Sequence, residues 1–295
     1  MHESARAQLR RLGIRPDRSL GQHFLINEGA ADCIVEAALE PEPEGIVEIG
    51  PGLGVLTRRL VEAGVPVIAF EMDEDMRPEL ERIGRGHPNL QVRYQDVLDA
   101  RMGEITASPP RAGERGGDDA APPRWVAVGN IPYQITSPLL GQLLTTEPPF
   151  AAIVLMIQRE VGRRLAAAPG TKDYGALTLL ARFYAGQPEV VAELTPASFE
   201  PPPKVHSIVL RLTPRTPPIA EPPRRKLFFT VVRAAFGQRR KQIANALSGS
   251  PHLPIEKAEA KEALARAGIT TSRRGETLSL EEFVALTRAV EEVRG

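Results

Sequence analysis

The chain predicts an α/β fold built on a mostly parallel sheet, followed by a small α-helical domain. Three observations predict it. From residue 28 onward, short apolar runs alternate with helix-like stretches, the pattern of βαβ units. A glycine-rich turn stands between the first of these runs and the next helix, where ligands bind in open α/β sheets. A proline-rich stretch, TPRTPPIAEPP (213–223), reads as a stiff linker, and four helix-like segments without a strand follow it.

The elements are justified in order. EGAADCIVEAALE follows Asn27, a good N-cap, and sets Ile34, Val35, Ala38 and Leu39 on one helical face. GIVEIG (45–50) is an apolar run closed by glycine and reads as a buried strand. LGVLTRRLVEAG is a helix ended by Gly64. PVIAFE (66–71) is a second strand, DEDMRPELERIG a helix with acids in its first turn, and NLQVRYQD (89–96) a third strand. WVAVGN (125–130) is a fourth strand, SPLLGQLLTT a helix and AAIVLMIQ a fifth strand. EVVAEL and VHSIVLRL read as an antiparallel edge pair. Residues 101–124 are rich in Gly, Pro and charge and read as a flexible surface loop. RRKLFFTVVRAAF, QRRKQIANAL, KAEAKEALARAG and LEEFVALTRAV are the four C-terminal helices. The expected domains are therefore 1–212, with an N-terminal arm at 1–27, and 224–295, joined by the linker 213–223.

Composition removes several classes of function. Lys plus Arg number 37 and Asp plus Glu 37, so a uniformly basic protein is excluded, although a placed basic patch is not. The lone Cys33 cannot form an internal disulfide or a zinc ribbon, and His2, His23, His87, His206 and His252 are too scattered for a local metal motif. No metal is expected. The apolar run Ala151 to Ile157 is far short of the ~20 residues that span a bilayer, and the N-terminus lacks the apolar core of a secretory signal. A cytoplasmic location, without membrane association, is the expectation.

The turn VEIGPGLGVLT (47–57) carries the first chemistry. Gly50, Gly52 and Gly54 let the backbone approach a bound group. In the dinucleotide register G-x-G-x-x-G, Val55 stands where the third glycine belongs, which argues against a nicotinamide enzyme. The actual G-x-G-x-G, preceded by Glu48, resembles motif I of class I (Rossmann-like) S-adenosylmethionine-dependent methyltransferases. Glu71 ends the second strand, where a carboxylate can accept both ribose hydroxyls of either cofactor. Asp96 ends the third, where methyltransferases place an acid on the adenine amine of the cofactor. A single strand-end acid is as often merely solvated, but three such features in order point to a cofactor site.

Asn130-Ile131-Pro132-Tyr133 follows the fourth strand and resembles the (Asp/Asn)-Pro-Pro-Tyr motif of base-amine methyltransferases. An aryl amine is a poor nucleophile because its lone pair is delocalised into the ring. Two acceptors for its N–H bonds, the Asn130 side-chain oxygen and the Ile131 carbonyl, would free that pair. Pro132 fixes the turn and Tyr133 can stack on an unpaired base.

Over most of its length the chain resembles the KsgA-type small-subunit rRNA adenine N6,N6-dimethyltransferases. The resemblance rests on SLGQHFLIN (19–27), VEIGPGLGVLT, FEMD, QDVL, GNIPY, QREVGRRLAAAPGTKDYGALTLL (158–180), SFEPPPKVHS (198–207), FGQRRKQIANAL (236–247) and RRGETLSLEEF (273–283). It implies transfer from S-adenosylmethionine to two adjacent adenosines in the 3′-terminal hairpin loop of 16S rRNA, within an immature small ribosomal subunit, by a monomer. It implies cofactor contacts at His23, Leu25, Gly50, Gly52, Glu71, Asp96 and Asn130, and a base pocket walled by Tyr133 and Phe199, although Phe is more commonly a core residue. The family often has Asn where His23 stands.

The RNA-binding surface is expected in the C-terminal domain. Arg224, Arg225, Lys226, Arg233, Arg239, Arg240 and Lys241 lie in a stretch without a single acid. Arg6, Arg10, Arg11, Arg15 and Arg18 of the arm add to it. Two rivals stay open: a macrolide-resistance type methyltransferase of large-subunit rRNA, and a non-catalytic ribosome-assembly factor on the same fold.

Overall fold

A computed structural model describes residues 3–17, 21–110, 121–215 and 222–294. The chain divides into two compact units, residues 1–162 with 188–214, and residues 163–187 with 215–295.

The first unit is a seven-stranded sheet of order β4-β3-β2-β5-β6-β9-β7. Its strands are β2 (Gly45–Ile49), β3 (Val67–Glu71), β4 (Leu90–Tyr94), β5 (Trp125–Asn130), β6 (Ala152–Gln158), β7 (Glu189–Leu194) and β9 (Ser207–Leu212). β2 through β6 run parallel, whereas β9 pairs antiparallel with both β6 and β7. Every residue of β2 is buried, and so is nearly all of β5 and β6, as continuous apolar runs demand of strands covered on both faces. The helices are α1 (Ala5–Leu12), α2 (Glu28–Leu39), α3 (Val55–Glu62), α4 (Arg77–Gly84), α5 (Met102–Thr106) and α6 (Thr136–Leu144). Strand order reverses between β2 and β5, since β3 and β4 extend to one side and β6 to the other. That reversal opens a crevice beyond the carboxyl ends of β2 and β5.

A second sheet has two strands of two residues each, β1 (Phe24–Leu25) and β8 (Phe199–Glu200), paired antiparallel. Helix α1 is capped by Ser4 and tied down by Arg11, which donates to the buried Glu79 of α4 at 2.7 Å. Arg58 and Arg82 converge on the same carboxylate. Burial alone would raise the Glu79 pKa, but hydrogen bonds from Arg82 and Arg11 and the surrounding positive charge bring it down to about 2.

Helix α7 (Arg159–Ala166) carries the chain into the second unit, which holds α8 (Ala176–Tyr184), α9 (Pro222–Gly237), α10 (Ile243–Ser248), α11 (Lys257–Arg266) and α12 (Leu280–Arg294). Its core is aromatic: Phe183 packs on Phe228 at 4.6 Å and on Phe229 at 5.2 Å between ring centroids, and Phe236 stacks on Phe283 at 6.0 Å. Tyr174 is fully buried, and its hydroxyl donates to the Leu278 carbonyl.

Four expectations need adjustment. Residues 163–187 belong with the helical unit instead of the sheet, because α8 supplies Phe183 and Tyr184 to the aromatic core. The stretch 101–124 is not a loop throughout. It begins with α5, which buries Met102, Ile105 and Thr106, and Ser108 accepts a hydrogen bond from the Trp125 indole; 111–120 lie outside the described residues. Of the linker 213–223, residues 216–221 lie outside them, and Pro222 already begins α9, where a first-turn proline costs no hydrogen bond. The segment 238–241 is a turn, so QRRK does not sit on a helix, and α10 begins only at Ile243.

Candidate active site

The crevice between β2 and β5 opens on a cavity lined by residues of five segments. The strap 21–25, Glu48, the glycine turn, Glu71 to Asp73, and Asn130 to Tyr133 all face it. It thereby gathers His23, Leu25, Gly50, Gly52, Glu71, Asn130 and Tyr133.

The turn after β2 is left-handed at its glycines, with φ of 52° at Gly52. That conformation aims the Gly52 N–H at Glu71, whose Oε2 accepts it at 3.0 Å, while Oε1 accepts from the Asp73 N–H at 2.9 Å. Each carboxylate oxygen keeps a lone pair for a further donor. Burial raises the Glu71 pKa above the ordinary carboxylate value.

Glu48 is fully buried in β2. One oxygen accepts from the Thr57 hydroxyl at 3.0 Å, and the other is buried without a partner. Burial pushes its pKa up to about 8, with the Thr57 hydrogen bond opposing and the Glu71 charge adding. A carboxylate oxygen orphaned in a cavity wall is where a cationic or hydrogen-donating ligand group fits. In sequence Glu48 is only a motif marker, and its position just before the glycine turn is the one signal of a site role.

At the end of β5 the Asn130 amide nitrogen donates to the His23 carbonyl at 2.8 Å. A carbonyl only accepts, so this bond turns the amide nitrogen toward the strap and leaves Oδ1 as an acceptor with no partner among the described residues. The His23 ring in turn reaches the Pro201 carbonyl through Nδ1 at 2.7 Å, which makes Nδ1 the protonated nitrogen. Its face lies 6.1 Å from the Tyr133 ring at an interplanar angle of 30°. The β1–β8 pairing, the Ile26 N–H on the Ser198 carbonyl and the Asn27 amide on the Ser198 hydroxyl hold strap and proline loop together. None of these links was legible in spacing, because the partners are remote in sequence.

Two expected site residues are not in the lining of this cavity. Asp96 does not line the cavity: its short carboxylate turns back to accept from the Leu98 N–H at 2.9 Å and so caps the 3₁₀ turn Val97–Asp99. Phe199 is 2% exposed and packs in the hydrophobic core; the ring facing Tyr133 is that of His23. Strand pairing with Leu25 turns Phe199 inward.

The basic run of the helical unit is also not uniform. Arg239 donates to Glu276 at 2.9 Å and to the Lys172 carbonyl at 2.7 Å, and Arg224 pairs with Glu291 at 3.1 Å. Acids absent from the run in sequence reach it through the fold. Lys226, Arg233, Arg240 and Lys241 are exposed, with no carboxylate partner among the described residues. In the N-terminal arm Arg6 pairs with Glu200 and Arg11 with Glu3 and Glu79, while Arg18 lies outside the described residues. Among the described residues no helix is long and apolar enough to cross a membrane, and no group of three or more His, Cys, Asp or Glu is placed to hold a metal ion.

A mostly parallel sheet, a glycine turn bonded to a strand-end carboxylate, and an Asn-Ile-Pro-Tyr turn at the same crevice define a class I S-adenosylmethionine-dependent methyltransferase. Within that class the chain belongs to the ribosomal RNA adenine dimethylase family, which it matches over residues 15–286. It is 42% identical over 285 residues to the ribosomal RNA small subunit methyltransferase A of Moorella thermoacetica, an alignment covering 97% of this chain and 96% of that protein. It is likewise 42% identical over 286 residues to the protein of that name from Shouchella clausii, with 96% and 93% covered. Its fold is similar to that of a dimethyladenosine transferase from Plasmodium falciparum, at TM-score 0.73 and 24% identity, covering 92% of this chain and 98% of that one. It is also similar to that of the 23S rRNA methyltransferase ErmE, at TM-score 0.65 and 25% identity, covering 91% and 99%.

Proposed function

We propose that this enzyme dimethylates the N6 amines of two adjacent adenosines in the 3′-terminal hairpin loop of 16S rRNA, in the cytoplasm, on an immature small subunit and as a monomer. The observation that carries the chemistry is the Asn130–His23 hydrogen bond, which leaves the Asn130 oxygen as an acceptor at the cavity.

S-adenosylmethionine, when bound, supplies a methyl group on a positively charged sulfur. Glu71 has lone pairs for ribose hydroxyls, the turn at Gly50 and Gly52 admits backbone close to the ligand, and the orphan oxygen of Glu48 suits its cationic end. Asp96 is assigned to the adenine amine, for which the cap on Leu98, made by Oδ1 alone, leaves its second carboxylate oxygen. Leu25 and His23 close the cavity from the strap.

An adenine splayed from a loop would stack on Tyr133, and its ring would lie against His23 where the family expectation put Phe199. Such stacking contributes ~1–3 kcal/mol. Its amine would give one N–H to Asn130 Oδ1 and the other to the Ile131 carbonyl, which localises the nitrogen lone pair for in-line attack. As the N–C bond forms and the methyl's bond to sulfur breaks, the positive charge would pass to the amine, which then gives one proton to water; that cation is acidic, so no strong base is required, and positioning supplies much of the rate. After the first transfer a single N–H remains, so the amine must rotate before the second. The RNA grip is assigned to Lys226, Arg240 and Lys241 with Arg225 alongside; Arg224 and Arg239 contribute less, since each already has a carboxylate.

The test is transfer of labelled methyl from S-adenosylmethionine to immature small subunits, followed by nucleoside analysis. Dimethyladenosine at two adjacent positions is the expected product. Transfer to the large subunit instead would favour the macrolide-resistance reading, and no incorporation into either subunit would overturn the enzymatic one.

A further inference from the structure

Helix α6 starts directly after the Asn-Ile-Pro-Tyr turn and packs Leu139, Leu140, Leu143 and Leu144 into the core. Its one long polar side chain, Gln142, reaches the turn that follows β4. The Gln142 amide nitrogen donates to the Ala100 carbonyl at 2.7 Å and lies 3.3 Å and 3.4 Å from the Val97 and Leu98 carbonyls. Three acceptors can be met only by the NH₂ end of the amide, and two hydrogens are shared among them. The other end, Oε1, is buried without a partner, so the three carbonyls are met at the cost of one unsatisfied acceptor.

The backbone that Gln142 grips is the turn headed by Asp96. Inside that turn the bonds are few: Asp96 caps Leu98, and the Asp99 and Ala100 N–H groups return to the Asp96 and Val97 carbonyls. A short 3₁₀ turn of this kind is weakly determined by its own hydrogen bonds. A half-buried side chain clamping its carbonyls supplies what the turn lacks. The clamp also joins the two halves of the site, because the helix that bears it continues from Tyr133.

We propose that Gln142 is a positioning residue for the base end of the cofactor site: it holds the Asp96 turn in place and thereby sets the affinity for the adenine of S-adenosylmethionine. This rests on the reading above that Asp96 takes that adenine.

The experiment measures steady-state kinetics and S-adenosylmethionine binding for Gln142→Met, which keeps length and volume but removes both N–H donors. The KM for S-adenosylmethionine should rise about ten-fold while kcat stays within about two-fold. The KM for RNA should not change. Inhibition by adenosine, which carries the base without the methionine end, should weaken by the same factor as cofactor binding. Asp96→Asn and the double variant complete a cycle, in which the double should be no worse than the worse single. An unchanged KM for S-adenosylmethionine in folded Gln142→Met, unaffected adenosine inhibition, or multiplied effects in the double would overturn the proposal. A purely structural role would instead lower the thermal midpoint and the active fraction at constant KM. Should Gln142→Met not fold, Gln142→Asn, whose shorter amide cannot reach Ala100, reads the same parameter. A silent Asp96→Asn beside a weakened Gln142→Met would leave Gln142 acting through the turn's backbone and remove the Asp96 reading alone. Failure of the wild type to bind S-adenosylmethionine would remove both.

Discussion

The crevice of the sheet unit and the basic run of the helical unit are both gatherings of polar side chains, but they are held in opposite ways. In the crevice directional bonds orient the polar groups: Asn130 on the His23 carbonyl, His23 on the Pro201 carbonyl, Gly52 on Glu71, Thr57 on Glu48. In the basic run Lys226, Arg240 and Lys241 stand exposed on long flexible stems. Buried directional groups act singly and strongly, because nothing else can replace a lost bond there. Exposed charges act collectively and weakly, and salt screens them. Substitutions should therefore separate the two regions by size of effect and by what each effect depends on.

The largest effect is expected at Asn130. Asn130→Ala removes the acceptor that frees the amine lone pair, and single-turnover methyl transfer should slow by about 10²–10³-fold, the usual cost of one preorganised polar contact to a transition state. Binding of S-adenosylmethionine should weaken only a few-fold. Loss of folding together with activity would show that the bond to His23 is structural and would break the contrast.

Glu48 should come next, through pH. The folded protein keeps this buried carboxyl protonated to about pH 8, whereas the ordinary value is 4.5. Between those values the folded chain binds more protons than the unfolded one, so unfolding free energy is fully present at and below pH 4.5 and falls as pH rises toward 8. Glu71, raised by burial as well, adds a slope of the same sign. Denaturant unfolding of the ligand-free protein at several pH values should show this decline, and Glu48→Gln should flatten it. An equal slope in the variant would mean that Glu48 ionises normally in the fold.

The crevice was legible from sequence for a topological reason. Parallel strands bring their carboxyl ends to one edge, so Gly50, Glu71 and Asn130 converge in space although they are spread along the chain. Apolar runs such as VIAFE and WVAVGN mark those strands without further information. What was not legible depends on side-chain direction and on partners remote in sequence. Nothing in SFEPPPKVHS says that Phe199 turns inward and that the Pro201 carbonyl meets His23. Nothing near Asp96 says that its carboxylate caps its own turn. Likewise a stretch without acids reads as unpaired positive charge until α12 and the turn at Gly275 bring Glu291 and Glu276 to it.

The basic run should give smaller and salt-dependent effects. Replacing Lys226, Arg240 and Lys241 together by Gln should weaken RNA binding and reduce the slope of log K against log salt by about 2–3, near 0.7–0.9 for each lost phosphate contact. S-adenosylmethionine affinity should be unchanged. An unaltered salt slope would move the RNA grip to another surface, with Arg10 and Arg15 of the N-terminal arm the next to test.

The smallest effect is expected at Arg224, and it sharpens the contrast within the run itself. Arg224 and Arg239 look alike in sequence, but Arg239 is anchored by Glu276 and by two backbone carbonyls, those of Thr171 and Lys172, whereas Arg224 meets only Glu291, with both partners about half exposed. An exposed pair of that kind contributes about 0–1 kcal/mol. Arg239→Ala loses one carboxylate bond and two carbonyl bonds, but the exposed carbonyls return to water, so it should cost about 1 kcal/mol in unfolding free energy. Arg224→Ala should stay below about 1 kcal/mol, and its RNA affinity should fall less than that of Lys226→Ala, because Glu291 already neutralises the charge that a phosphate would see. Equal losses of RNA affinity for Arg224→Ala and Lys226→Ala would mean that the RNA displaces Glu291, so that pairing in the free protein does not decide which cations grip the substrate.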